Sequence, residues 1–151
     1  MSEMDSSRLR YDVLIQQDVD AQLNRLIEDG RQLADDFFNG AGKSSELTAT
    51  QMSKLLDVCG DTDSVEVVIG YIQYQIGRDD KHKNWSAGGF GEDLIKKLRA
   101  HKKTAEAVVN TASKASDCTL PEAGKPEVDH VWMLLVRQYI GHLRRYFTYK
   151  R

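Results

Sequence analysis

The chain has few of the residues that staple, break or anchor a fold. Its 151 residues include two cysteines, Cys59 and Cys118, and two prolines, Pro121 and Pro126. Two cysteines so far apart, with no CxxC element, make neither a disulfide framework nor a zinc knuckle. They read as free thiols of an intracellular protein. With both prolines inside residues 121–126, the rest of the chain is open to long helices. No apolar run reaches the roughly 18 residues of a membrane span. The opening MSEMDSSRLR is polar and predicts no signal segment. A cytoplasmic protein with no membrane partner is expected.

Signatures of chemistry are equally scarce. GAGKSS, residues 40–45, lacks the GxxxxGK[ST] spacing of a phosphate loop and follows a helical pattern, not a strand. GGFG, residues 88–91, has no preceding strand and reads as a turn. The four histidines, His82, His101, His130 and His142, show no metal-ligand spacing. The pairs Asp35–Asp36 and Asp79–Asp80 read as solvated acids. No Ser/His/acid or Cys/His pattern stands out. No catalytic residue, metal site or cofactor is expected.

What the chain does have is helical periodicity. A composition of 40% hydrophobic and 29% charged residues suits one globular domain. Residues 1–12 read as a flexible arm, followed by a single helical domain over 13–151. From Val19 to Phe38 the apolar residues fall on one helical stripe, with Asp18 as its N-cap. Gly30 lies inside that helix, where a close crossing would use its missing side chain. LTATQMSKLLDVCGD, residues 47–61, predicts a short helix capped by Thr48 or Thr50 and ended by Gly60. A third helix starts at Asp61 or Thr62 and ends at Gly77. A fourth spans about Phe90–Ala112. Residues 113–127 read as a polar linker. The last helix runs from about Val128 to Tyr149, with Trp132, Leu135, Tyr139 and Leu143 on its buried face. The fold class is all-α, a compact bundle of about five helices.

Charge is divided unevenly. Residues 1–75 carry 6 Lys/Arg against 14 Asp/Glu, a net −8; residues 76–151 carry 15 against 9, a net +6. A basic second half favours an anionic partner, and the opposite halves favour head-to-tail contact between copies. Lys96, Lys97, Arg99, Lys102 and Lys103 on the fourth helix could neutralise phosphates without reading bases. Arg137, Arg144 and Arg151 recur every seven residues on the last helix, widened by Arg145 and Lys150. Tyr146 and Tyr149 lie among them, where they could stack on bases.

Three separated motifs carry a family resemblance: LTATQMSKLL at 47–56, YIQYQIGRD at 71–79 and WMLLVRQYIGHLRRYFTYKR at 132–151. Together they resemble the small helical subunit of the type III-A CRISPR interference complex, the Csm assembly. The resemblance spans about residues 15–110 and 128–151. It implies a non-catalytic protein that stacks in several copies beside guide RNA, target RNA and the other CRISPR effector subunits. Arg78 matches the family's GRD helix end. With Lys96, Lys97, Arg99, Lys103, Arg137 and Arg144 it forms the expected RNA-backbone or subunit-contact surface. Two other classes fit the residues: a helical DNA-binding transcription regulator and a protein-only helical adaptor.

Overall fold

A computed structural model describes residues 3–118 and 125–151, and among these the regular structure is entirely helical. Helix α1 spans Glu3–Phe38, α2 Ala49–Asp61, α3 Val65–Gly77, α4 Phe90–Ser116 and α5 Lys125–Lys150. Short 3₁₀ turns lie at Ala41–Ser44 and Ala87–Gly89. This is the expected compact bundle of five helices.

The three long helices make the frame. Arg8 meets Glu127, Asp35 meets Tyr146 and Phe37 stacks on Phe147, so α1 and α5 run parallel. Helix α4 is antiparallel to both: its first residue, Phe90, touches Phe37 and Phe147 at one end, and Thr104 receives a bond from Arg25 further along. The α2–α3 hairpin covers one half of this frame. Helix α5 packs against α1, α2 and α4, and its Leu135, Val136, Tyr139, Ile140 and Phe147 are fully buried. All four phenylalanines of the chain, Phe37, Phe38, Phe90 and Phe147, gather at one end. Trp132 is buried with its indole N–H donating to the Leu98 carbonyl at 2.8 Å, which satisfies its polar atom.

Several boundaries differ from the sequence expectation. Residues 3–12 are the first turns of α1, because Tyr11, at 2% exposure, and Ile15 continue the buried stripe toward the N-terminus. Asp18 is consequently interior to α1, where it accepts from the Gln22 amide at 3.2 Å. A Cβ at Gly30 would lie 3.7 Å from the Tyr139 ring, an ordinary contact, so the crossing there does not demand glycine. Gly91 is different: a Cβ would sit 2.6 Å from Ile76 Cγ1 and 2.8 Å from the Trp85 carbonyl. The polar linker shrinks from both sides. Helix α4 runs on to Ser116, where the Ser116 hydroxyl bonds back to the Ala112 carbonyl, and Asp117 ends it at φ 54. Helix α5 already includes Lys125–Glu127, with Glu127 favourable in its first turn. Residues 119–124 of the expected linker lie outside the described residues.

Of the two caps expected from sequence, Thr48 or Thr50, it is Thr48 that opens α2. Its hydroxyl accepts from the Thr50 N–H, and the Gln51 side chain accepts from the Thr48 N–H at 2.9 Å. Gly60 does not end α2; Thr62 does, and Ser64 opens α3 by accepting from the Val67 N–H. Both cysteines are free, Cys59 buried and Cys118 partly so. Burial pushes the Cys59 thiol up to about 11, against a smaller opposing pull from Arg137.

One polar cluster is built into the crossing of the long helices. Asp29 of α1 accepts from Lys97 of α4 at 2.9 Å and from the Tyr139 hydroxyl of α5 at 3.0 Å. His101 packs edge-on against Tyr139 at 4.7 Å, is 4% exposed, and has no hydrogen-bond partner at Nδ1. Burial holds its pKa down at about 4, with Asp29 opposing and Arg25 and Lys97 reinforcing the shift.

Candidate nucleic-acid interface

The start of α2, the end of α3 and the loop that follows α3 enclose an open cleft of about 490 Å³. Helix α2 supplies Gln51 and Lys54. Helix α3 supplies Tyr71 and Gln75. The chain before α2 supplies Glu46, and the chain after α3 supplies Arg78, Asp79, Asp80, Lys81, Asn84 and the buried Trp85. Gly77 is the last helical residue and Arg78 is the C-cap, its N–H bonded to the Tyr74 carbonyl at 3.1 Å. The Arg78 side chain is exposed and its guanidinium lies 5.8 Å from the centre of the Tyr74 ring.

Asp79 organises the loop. Its Oδ2 accepts from the Ser86 N–H at 2.8 Å and the Asn84 N–H at 3.0 Å. Desolvation alone would raise the Asp79 pKa; bonds from the Ser86 and Asn84 amides outweigh it and hold the carboxyl below its ordinary value. Asp79, read from the sequence as a solvated acid, is instead committed to these loop amides. The loop is tied to the start of α2 by the Glu46 N–H, which donates to the Lys83 carbonyl at 2.6 Å. Among the described residues, no group of three or more His, Cys, Asp or Glu side chains is placed to hold a metal ion.

Of the seven cations singled out from sequence, Lys97, Arg99 and Arg137 are engaged with neighbouring helices. Lys97 turns to α1 and pairs with Asp29 at 2.9 Å; Arg99 turns to α3 and pairs with Glu66 at 3.0 Å. The two therefore leave α4 on different flanks. Lys96 and Lys103 are exposed on α4. Arg137 is engaged with the α2–α3 junction: it donates to the carbonyls of Cys59 at 2.9 Å and Thr62 at 3.1 Å, and lies 3.6 Å from Asp63. It serves as a cap for the C-terminal end of α2, where a cation is favourable. Arg151 bonds the chain just before α2, at Gly42 and Ser45. Arg144, exposed and spaced seven residues from each, shares that face of α5. Of the seven, only Arg78 lines the cleft, and Lys54 and Lys81 join it there. The sequence could place Lys54 on an exposed helix face, but only the folded hairpin brings it beside Arg78.

Compared with known proteins, the chain matches no family model, no curated protein and no solved structure. No described helix is long and apolar enough to cross a membrane.

Proposed function

We propose that this chain is a cytoplasmic, non-catalytic subunit of a type III-A CRISPR-like ribonucleoprotein, which holds an RNA backbone and packs beside other effector subunits and further copies of itself. One observation carries the reading. Two motifs behind the family resemblance, LTATQMSKLL and YIQYQIGRD, lie apart in sequence and converge on one open cleft. Gln51 and Lys54 come from the first; Tyr71, Gln75, Arg78 and Asp79 come from the second. Arg78, Lys54 and Lys81 supply the cations for phosphates, and the Gln51 and Gln75 amides supply donors that read no sequence. Asp79 is a positioning residue, committed to the loop amides.

The test is made in the assembled particle. The chain is recovered from its host, and guide-length RNA and larger CRISPR subunits should accompany it. Arg78→Ala with Lys54→Ala should leave subunit stoichiometry intact and weaken target RNA binding similarly for different target sequences. The dependence of log affinity on log salt should flatten by about one for each phosphate that the variant no longer neutralises. Unchanged affinity and slope with normal stoichiometry would remove the cleft from the RNA path. A particle that contains no RNA and survives nuclease would favour the protein-only adaptor instead.

A further inference from the structure

A second groove, formed by other helices, carries a different chemistry. It runs between α1 and the last turns of α5 and has a volume of about 540 Å³. Ile27 and Arg31 line it from α1; His142, Arg145, Tyr146 and Tyr149 line it from α5. No carboxylate is among them. Asp35, one turn along α1 from Arg31, is engaged by the Tyr146 hydroxyl at 2.7 Å and by Lys150 at 3.4 Å. The Tyr146 ring is fixed by that bond and has the Arg31 guanidinium and the Lys150 ammonium each 5.8 Å from its centre. The Tyr149 ring lies 5.8 Å from the Tyr146 ring and is 80% exposed.

We propose that this groove binds a nucleoside phosphate, its base stacked on Tyr149 and its phosphate held between Arg31 and Arg145. The volume lies within the range of small-ligand sites. The exposed ring offers the π-face that stacking needs, and two guanidiniums without a carboxylate offer the anion site. The His142 pKa is held down by burial first and then by Arg145 and Arg31, in keeping with a positive field at the groove floor. A base in a duplex keeps its faces covered, so an unpaired strand or a free nucleotide fits and a duplex does not. The site stands apart from the cleft of α2 and α3, and does not depend on the reading of that cleft.

Adenosine monophosphate, a short oligoadenylate and inorganic phosphate are titrated into the full chain while the His142 ring resonances are followed by NMR. The first two should shift His142. Tighter binding of the oligoadenylate identifies an RNA strand as the source, and equal binding identifies a free nucleotide. Tyr149→Ala should weaken binding by about five-fold or more, the lower end of the effect of losing a stacked base. Tyr149→Phe should retain it and Arg145→Ala should lose it. The proposal is overturned if His142 is unmoved by both nucleotide probes. Phosphate binding as tightly as adenosine monophosphate, or Tyr149→Ala binding like the unmodified chain, would overturn it as well.

Discussion

Phe147→Ala should cost about 3–5 kcal/mol of stability. The ring is fully buried where α1, α4 and α5 meet. Its centroid lies 4.8 Å from Phe38, 5.5 Å from Phe90 and 6.1 Å from Phe37. Truncation removes the transfer energy of the ring and leaves a cavity among rings that belong to two other helices. It also removes aromatic pairings worth about 0.5–1.5 kcal/mol each beyond burial. A domain of this size has a total stability of only about 5–15 kcal/mol, so the variant should unfold at much lower urea concentration. Tyr149→Ala, two residues away and 80% exposed, is the control and should stay within about 0.5 kcal/mol. Equal unfolding midpoints for the two variants would mean that the helix ends do not close through these rings.

Acid should destabilise the protein through His101. Its pKa in the folded state is about 4, against an ordinary value of 6.5. A depressed pKa means that the unfolded chain takes up the proton first as pH falls. The stability that His101 contributes is fully present above about pH 6.5, declines as pH falls, and is lost below about 4. The interval corresponds to about 3 kcal/mol. The His142 pKa is also lowered and acts in the same direction. Urea unfolding at a series of pH values should show this decline, and His101→Leu should flatten most of it. A His101→Leu profile as steep as that of the unmodified chain would place the acid sensitivity elsewhere.

Much of the frame is written in apolar spacing. Trp132, Leu135, Tyr139 and Leu143 recur at three and four residues, and all four are buried. The start of α1 is harder to read, because Tyr11, Ile15 and Val19 give one buried residue per turn while the apolar Leu9 and Val13 beside them are exposed. Helical spacing also says which cations share a face of one helix, but not what stands opposite. Arg137 reads as exposed beside Arg144 until the end of α2 is brought against it. Lys97 and Arg99 differ by two positions, enough to send one to Asp29 on α1 and the other to Glu66 on α3. The cleft and the groove each draw residues from separate helices, so neither exists as a sequence pattern. What sequence does offer is Arg78 at a helix end, and the tyrosines of α5 among arginines.

The parallel pairing of α1 with α5 has a consequence for how the protein is made. Phe37 and Phe147 stack on each other although 110 positions separate them in the chain. At about 5–20 residues per second of translation, α1 leaves the ribosome on the order of ten seconds before its parallel neighbour. During that delay Tyr11, Ile15, Val19 and Leu26 face water or α4 alone. Nascent chains stalled before residue 125 should therefore show an α1 open to protease, and those stalled after complete release of α5 should not. The earliest made of these five helices is thus among the last to be secured, and a chaperone that shields an amphipathic helix would act while α1 waits for α5.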